Sequence, residues 1–393
     1  MKKIRLGDAC DILNGFAFKS ENYVDSGIRV IRIANVQKGY IEDNTPVFYP
    51  LETNELDKYM LEEGDLLMAL TGNVGRVAIL KKEFMPAALN QRVACLRLKT
   101  DRVAKDYLFH VLNSAFFEQQ CIQSSKGVAQ KNMSTEWLKD YEIPMYPKEQ
   151  QELIADILDK TRNIIISRNY ELKKLDDLIK ARFVEMFGDP QINPFGWDVV
   201  NISEVVGGKV SNGFFAKRDD YADDGNVSVL GVSNIVNRMY SNVDKLPKTN
   251  ADDKDIEKFE VRYGDMLFCR SSLVTEGIGK ASIVPENVQD NVLFECHVIR
   301  LPLDLSKCVP EFMQALSTMD FFRNQVVAQS KTATMTTIGQ DGILKTDIIL
   351  PPIDKQRTFY DFVHQVDKSK VAVQKALDET QMLFDSLMQE YFG

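Results

Sequence analysis

The distribution of apolar residues predicts two very long helices. From Lys148 to Phe187 the chain contains no glycine or proline, and apolar residues recur in alternating steps of four and three. This spacing is typical of a helix that packs along its length against another helix. The pattern returns in the segment that ends at Phe392-Gly393. We therefore expect the two helices to pack on each other, and the spacing is compatible with either a parallel or an antiparallel pair. The expected seam consists of Ile154, Leu158, Ile165, Leu172, Leu175, Ile179, Phe359, Val363, Val366, Val373, Leu377 and Phe384.

The residues before each helix alternate short β-branched runs with turn residues. In the first such segment, residues 28–36, 65–70 and 93–98 have the composition of strands. Residues 107–123 predict one amphipathic helix with Phe116 and Phe117 on its apolar side, and residues 141–145 predict a last strand. Each long helix is thus expected to follow a β-rich globular segment.

The second half of the chain repeats the first. Asn14-Gly15-Phe16 is matched by Asn212-Gly213-Phe214, and Gly64-Asp65 is matched by Gly264-Asp265. Near the long helices we match Ile143-Pro144 with Leu350-Pro351, which places Pro147 and Glu149 opposite Asp354 and Gln356. Order kept over such a length indicates a tandem duplication. The predicted segments are a first globule at 1–147, a first long helix at 148–190, a second globule at 191–350 and a second long helix at 351–393. Such a duplication favours pseudo-twofold symmetry.

Composition narrows the class of protein. Hydrophobic content of 44% and charged content of 27% are typical of globular domains. No apolar run approaches the length of a membrane span, so we expect a cytoplasmic protein. The six cysteines are scattered and the three histidines lie far apart in sequence, which indicates reduced thiols and no metal site. The net charge of −9 is a mild argument against nucleic-acid binding, although a domain of low net charge can still carry a basic face.

No catalytic motif is present, so we expect no catalytic residues. Polar side chains recur instead at matched places in the two repeats, including a loop at 71–76 whose counterpart near Arg270 differs in sequence. Arginine, asparagine and glutamine can make bidentate contacts to base edges, and lysine and threonine can contact phosphates. The candidate DNA-binding residues are Lys19, Arg32, Asn35, Arg76, Asn90, Gln91, Arg92, Lys126, Gln130, Lys131, Asn132, Lys217, Arg218, Asn234, Arg238, Arg270, Lys331 and Thr334.

Taken together, the chain resembles a specificity subunit of a type I restriction–modification system. The resemblance covers essentially the whole chain. It is carried by the duplicated globule, the strands at Gly64-Asp65-Leu66-Leu67 and Gly264-Asp265-Met266-Leu267, and the proline-flanked Glu149-Gln150-Gln151 start of the first helix. The segment from Phe187 to Trp197 also fits.

The resemblance implies a non-catalytic α+β protein with two target recognition domains, each reading one half of a split DNA sequence. Its two long helices would form an antiparallel coiled coil that acts as a spacer and docks two methyltransferase subunits. S-adenosylmethionine, ATP and magnesium would belong to the methyltransferase and restriction subunits, so this chain would hold no cofactor. Two other interpretations remain. The chain could be a protein-binding scaffold with two modules on a coiled coil, or a stand-alone DNA methyltransferase or nuclease.

Overall fold

The structure is a computed structural model that describes residues 2–51, 54–125 and 132–393. The chain forms two compact units. Unit 1 consists of Met1–Asn169 together with Lys375–Gly393, and unit 2 consists of Tyr170–Gln374. Each unit therefore contains one globule and a part of both long helices. These units cut each long helix in two, whereas the four segments proposed from the repeat keep the helices whole, and that division stays a prediction.

The two long helices are present, at Lys148–Phe187 and Ile353–Phe392. Within unit 2 they run antiparallel, as the resemblance implies. The ring centroids of Phe187, at the end of the first helix, and Phe359, near the start of the second, are 5.6 Å apart. Asp176, which precedes Phe187 in the first helix, accepts a hydrogen bond at 2.6 Å from Lys370, which follows Phe359 in the second. Moving backwards along one helix thus means moving forwards along the other.

The predicted seam side chains lie in the interior or at its border. Those near the globules are the most buried, because the ends of each helix pack against globule as well as helix. The structure gives as buried Ile154, Leu158, Ile179, Phe359, Val363, Val366, Val373 and Leu377, and as half-buried Ile165, Leu172, Leu175 and Phe384. Sequence spacing missed Phe183, which is fully buried between the two helices and the globule of unit 2.

The described residues of the unit 1 globule form three small sheets. A four-stranded antiparallel sheet has the order Cys10–Asn14, Val93–Leu98, Leu66–Ala69 and Val77–Ile79. A three-stranded sheet has Ile28–Ile31 in its centre, antiparallel to Phe48–Tyr49 and parallel to Ala87–Leu89. A two-stranded ribbon pairs Lys2–Arg5 with Glu142–Met145. The helices before the long one are Leu6–Ala9, Lys105–Leu112, Ala115–Ser124 and Thr135–Asp140.

The globule of unit 2 repeats this topology. The sheet of four has the order Ser211–Asn212, Val298–Leu301, Met266–Cys269 and Ala281–Ile283, and the sheet of three pairs Val227–Leu230 with Lys248–Thr249 and Val292–Phe294. The ribbon pairs Asp198–Asn201 with Asp347–Leu350. An additional small sheet contains Ser271–Ser272, Thr336–Thr337 and Lys331–Thr332. The helices are Val232–Ile235, Asp253–Phe259, Pro310–Ser317, Asp320–Ala328 and Gln340–Leu344.

The ribbons correct the alignment of the repeats near the long helices. Lys2 pairs with Met145 and Asp198 pairs with Leu350, so Met145 and Leu350 are equivalent. Counting on from these residues, Pro147 corresponds to Pro352 and Glu149 to Asp354. Our placement of Pro147 opposite Asp354, and of Glu149 opposite Gln356, was therefore wrong.

In this alignment Gln151 corresponds to Gln356, and both are fully buried in the first turn of a long helix. Gln151 accepts a hydrogen bond from the backbone of Ala104 at 2.8 Å and donates to the carbonyl of Tyr146 at 2.8 Å. Gln356 accepts from Val309 at 2.9 Å and donates to Pro351 at 2.8 Å. The same amide thus ties each helix start to the globule before it.

Two predicted elements end earlier than expected. The strand from Ile28 stops at Ile31, because Asn35 accepts a hydrogen bond from the backbone N–H of Arg32 at 2.8 Å and folds the chain into a short turn. The helix predicted at 107–123 is two helices, since the side chain of Ser114 caps a new helix by accepting from Phe117 at 3.2 Å. Phe117 is buried as expected, whereas Phe116 is exposed.

No helix in the described part of the chain is both long and apolar enough to cross a membrane.

Candidate functional site

In unit 1, several chain segments meet where the strands of both larger sheets end. Asn14 pairs with Ala94 and Ala69 pairs with Val93, so one strand starts beside the ends of two others. The residues that follow these strand ends carry most of the predicted polar side chains. We call this the unit 1 strand-end surface: residues 14–16, 71–76 and 90–92 together with Arg32 and Asn132.

Backbone contacts hold these segments in place. The N–H of Leu70 donates to the carbonyl of Arg92 at 3.0 Å, and the N–H of Met133 donates to the carbonyl of Leu70 at 2.9 Å. Thr71 donates its hydroxyl to the side chain of Asn132 at 2.9 Å. At Gly15 an added Cβ would stand 2.2 Å from the carbonyl of Asn90, so glycine is required for this close approach. The surface is therefore built on a fixed frame.

In unit 2, the same frame carries different side chains. Asn212 pairs with Ile299 and Cys269 pairs with Val298, and a Cβ on Gly213 would again stand 2.2 Å from the carbonyl of Glu295. Phe16 bridges to Asn90 and Phe214 bridges to Glu295, so Asn90-Gln91-Arg92 corresponds to Glu295-Cys296-His297. The unit 2 strand-end surface consists of residues 212–214, 270–279, 295–297 and 331–337.

The two strand-end surfaces differ in the length of the loop that follows the strand Met266–Cys269 in unit 2 and Leu66–Ala69 in unit 1. Gly75 and Gly279 both have a left-handed backbone and donate to the carbonyls of Ala69 and Cys269, so they close equivalent loops. The loop of unit 2 is longer and adds a strand, Ser271–Ser272, and a helical turn, Thr275–Gly277. Arg76 of unit 1 therefore corresponds to Lys280. Arg270 lies at the start of the longer loop.

At the unit 1 surface, Gln91 and Arg92 are exposed, and Asn90, Arg32 and Arg76 are half-buried. Arg32 donates to the carbonyl of Thr45 at 2.8 Å, and Arg76 donates to the side chain of Gln37. At the unit 2 surface, Lys331, Thr334 and His297 are exposed, and Arg270 donates to the carbonyl of Cys296 at 3.1 Å. The two surfaces therefore present different sets of donors on the same backbone.

Several predicted site residues lie elsewhere. Asn35 is buried and Asn234 half-buried, and both use their amides to hold a turn, through bonds to the backbones of Glu42 and Asn242. Their recurrence therefore reflects folding. Lys19, Lys217 and Arg218 are exposed on the segments that lead away from the strand-end surfaces. Arg238 lines a cavity against the first long helix. The predicted residues Lys126, Gln130 and Lys131 lie outside the described residues.

Sequence analysis missed His297 and Glu295. The stretch Glu295-Cys296-His297 shares no residue type with its counterpart Asn90-Gln91-Arg92, so the repeat does not reveal the correspondence at these positions. Matching the flanking strands, whose residues are alike in the two repeats, is the signal that would have aligned them.

The cysteines are free thiols, and all except Cys296 are buried. Burial raises the pKa of both Cys10 and Cys121 to about 12, so these thiols stay protonated and unreactive at neutral pH. Within the described ranges, no group of three or more histidine, cysteine, aspartate or glutamate side chains is arranged to hold a metal ion.

Comparison with known proteins gives a consistent family. The family model of the type I restriction modification DNA specificity domain matches twice, at residues 1–176 and 194–380. The EcoBI specificity subunit of Escherichia coli is 23% identical over 99% of this chain and 85% of its own length. The StySPI specificity subunit of Salmonella potsdam is 22% identical over 97% of this chain and 86% of its own length.

Among solved structures, the S subunit of a type I restriction–modification system from M. genitalium has the same fold. It superposes with a TM-score of 0.57 at 12% identity, covering 100% of this chain and 96% of that one. A structure from a study of complex assembly and conformational transition in the type I R-M system has a TM-score of 0.52 at 17% identity, covering 100% and 97%.

Proposed function

Because this chain belongs to the family of type I restriction–modification DNA specificity proteins, with two specificity domains in tandem, we propose that each strand-end surface contacts one half of a split DNA target. One observation carries the proposal. The two surfaces share their frame, down to the close approach at Gly15 and Gly213, while their exposed side chains differ. A shared frame with different donors suits two readers of different base sequences.

In unit 1 we assign base contacts to Gln91 and Arg92. Both are exposed, and their backbones are fixed by neighbouring strands. A guanidinium can donate two hydrogen bonds to guanine, and a glutamine amide can pair with adenine. In unit 2 the equivalent position is His297, supported by Arg270, Lys331 and Thr334 from the adjacent loops. We assign Lys19, Lys217 and Arg218, which lie beside these surfaces, to phosphate contacts.

The long helices support a second part of the proposal, the docking of methyltransferase subunits. Large apolar side chains lie exposed on these helices although the seam is packed. In unit 1 they are Leu153, Ile164, Ile166, Met382 and Leu383, and in unit 2 they are Leu178, Val184 and Val371. Exposed apolar groups on a helix that already has a partner are typical of a protein–protein interface. In this proposal the chain performs no chemistry itself, and S-adenosylmethionine, ATP and magnesium are bound by the partners.

Mapping methylated adenines in the DNA of cells that carry this protein and its partner subunits tests the assignment. The unaltered chain should give one bipartite motif. Arg92→Ala should relax one base position in one half of it, and His297→Ala should relax the other half only. Loss of a bidentate contact costs about 1–3 kcal/mol of base discrimination.

Lys3→Ala provides the matched control, since Lys3 is exposed on the terminal ribbon of unit 1. This variant should leave the motif unchanged. A motif that stays intact in both Arg92→Ala and His297→Ala would contradict the placement of the reading surfaces. Changes in the same half-site would contradict the assignment of one half to each unit.

A further inference from the structure

Unit 2 contains a cavity whose counterpart among the described residues of unit 1 is closed. It has a volume of about 360 Å³ and lies between the first long helix, the loop at 237–239, the start of the strand Ala281–Ile283 and the helices around Thr318. Four cationic side chains line it: Lys180, Arg238, Lys280 and Arg323. Asp176, its one acidic lining residue, already accepts a hydrogen bond from Lys370 at 2.6 Å.

The repeat shows how this cavity differs from unit 1. Gly75 and Gly279 pack at equivalent places, where an added Cβ would meet Cys121 in unit 1 and Val326 in unit 2. The equivalent helices Ala115–Ser124 and Asp320–Ala328 therefore place Glu118 where unit 2 has Arg323. In unit 1, Glu118 accepts from Lys38 at 2.7 Å, and the space beside this pair has no room for a water molecule. In unit 2 the cavity is lined instead by two positive side chains, Arg238 and Arg323.

The cations of unit 2 are left without a carboxylate. In the part of the chain that the structure describes, no acidic side chain forms an ion pair with Lys180, Arg238, Lys280 or Arg323. Lys280 donates to the side chain of Asn237 at 2.6 Å, and Arg323 donates one bond to the carbonyl of Glu276 at 3.2 Å. The other terminal nitrogen of Arg323, Nη1, is buried and has no hydrogen-bond partner among the described residues.

The position of these groups is held firmly. Gln314 is buried and donates both to the carbonyl of Arg238 at 3.3 Å and to the carbonyl of Ala281 at 3.2 Å. It thereby fixes the loop that carries Arg238 against the strand that follows Lys280. Burial lowers the pKa of Arg323 from its ordinary value, which still leaves the guanidinium charged at neutral pH. Like charges held together in a cavity are stabilised most by a multivalent anion.

We propose that this cavity is a phosphate-binding site formed by Lys180, Arg238, Lys280 and Arg323. Arginine binds phosphate with two parallel hydrogen bonds, and lysine adds a point charge. These four cations therefore suit a phosphate dianion, which has four oxygens and two charges, better than they suit a carboxylate, which has two oxygens and one charge. The phosphate can be a free ion or a phosphate group of the DNA backbone. The second source rests on the proposed function, because Arg323 is bonded to the loop of the unit 2 strand-end surface through Glu276.

Titration of the full-length chain with inorganic phosphate, followed by ³¹P NMR and calorimetry, tests the site without any DNA. The unaltered chain should show saturable binding. Arg323→Glu restores the charge arrangement of unit 1 and should weaken phosphate binding at least tenfold. Arg323→Gln keeps an amide donor at this place and should weaken it less, which guards against a variant that fails to fold. Lys99→Glu makes the same change of charge on an exposed side chain of unit 1 and should have no effect.

Binding of a mixed-sequence 30-base-pair duplex at several salt concentrations separates the two sources. If the cavity holds a backbone phosphate, the slope of log K against log[salt] should fall by about one in Arg323→Glu, since one fewer counterion is released. An unchanged slope with lost phosphate binding supports a site for the free ion. Phosphate binding that is unaltered by Arg323→Glu would overturn the proposal. Absence of salt-dependent DNA binding by the unaltered chain would count against the proposed function alone.

Discussion

The globules of units 1 and 2 share strand order, strand register and the buried glutamine at the start of the following helix, but they differ in how they fill equivalent interior places. Unit 2 packs the rings of Phe183, Phe187, Phe312 and Phe359 against one another, with neighbouring centroids 5.0–5.7 Å apart. At the equivalent places unit 1 has Met388, Phe392, Tyr107 and Ile154, with one ring pair, Tyr107 and Phe392, at 5.6 Å. After duplication, hydrogen bonds to the backbone were kept while side-chain volume was redistributed.

The two units also differ in an ion pair that involves an equivalent aspartate in each. Asp65 and Asp265 follow the repeated glycine, and both face an arginine. Arg97 donates two hydrogen bonds to Asp65, at 2.8 and 2.7 Å, whereas Arg300 approaches Asp265 only to 3.9 Å. The strand pairing makes Cys95, and not Arg97, the equivalent of Arg300, since Cys95 lies opposite Leu67 and Arg300 lies opposite the equivalent Leu267. The ion pair was thus retained with its arginine two residues further along.

The largest expected change in the free energy of unfolding tests the difference in aromatic packing between the units. Phe183→Ala should lower the free energy of unfolding of unit 2 by about 4 kcal/mol, because it removes a fully buried ring and leaves a cavity. Met388→Ala, at the equivalent half-buried place, should cost unit 1 about 2 kcal/mol. Trp137 and Trp197 are the two tryptophans of the chain, one in each unit. In a Trp197→Phe background the tryptophan fluorescence during urea unfolding reports on unit 1, and in a Trp137→Phe background it reports on unit 2. Val184→Ala, on an exposed side chain next to Phe183, should stay within about 0.5 kcal/mol.

The matched glutamines should give equal effects. Gln151→Ala and Gln356→Ala each leave a backbone N–H and a carbonyl buried without their partners, which should cost about 2–3 kcal/mol in the unit concerned. Urea unfolding with the same two tryptophan reporters measures this. Glu152→Ala and Arg357→Ala, one residue further along each helix and exposed, are the controls and should have little effect. A large loss in one unit only would contradict the equivalence of the two contacts.

The stability of the two units should depend differently on pH, because unit 1 has a titratable side chain, His110, where unit 2 has Ala315. His110 is buried with Nε2 at 2.9 Å from Asp159, and burial lowers its pKa below the ordinary value. As the pH is lowered, His110 therefore takes up a proton in the unfolded chain before it does so in the folded one. Its contribution to the free energy of unfolding is fully present above about pH 6.5 and decreases at lower pH. Between pH 7.5 and 5.5, unit 1 should lose more of its free energy of unfolding than the same unit in His110→Ala, as measured by urea unfolding. Equal losses in both proteins would show that His110 does not contribute.

The smallest effect concerns the ion pair between Lys38 and Glu118. Both side chains are partly exposed, so Glu118→Gln should lower the stability of unit 1 by no more than about 0.5 kcal/mol. The loss should disappear in 1 M salt. A cost of several kcal/mol would mean that this pair holds the local structure, and that Arg323 of unit 2 replaces it at a large energetic cost.

The sequence predicted those features that repeat at short range. Heptad spacing predicted both long helices, and the paired motifs Asn14-Gly15-Phe16 and Asn212-Gly213-Phe214 marked equivalent segments of the two strand-end surfaces. It could not show that Ser114 caps a new helix, because a serine inside an apolar pattern is also common in helices. The sequence also does not distinguish an exposed amide from one that holds a turn, as the buried amide of Asn35 does by donating to the carbonyl of Glu42.

The contacts that make the two units different join residues far apart in the chain. Lys38 meets Glu118, and Arg238 lies in the same cavity as Arg323, so the change of charge at residue 118 or 323 has no meaning until the fold is known. Likewise, Cys296 and His297 acquire their place beside Arg270 only through strand pairing.

The membership of residues 375–393 in unit 1 has a consequence for synthesis of the protein. A ribosome makes all of unit 2 before it makes the segment that carries Phe392, which is buried against Tyr107 of unit 1. During translation the apolar surface around Tyr107 therefore stays uncovered while the other unit already has every residue of its core. The unit that begins first should be the last to mature, and its nascent form should be the one that chaperones hold.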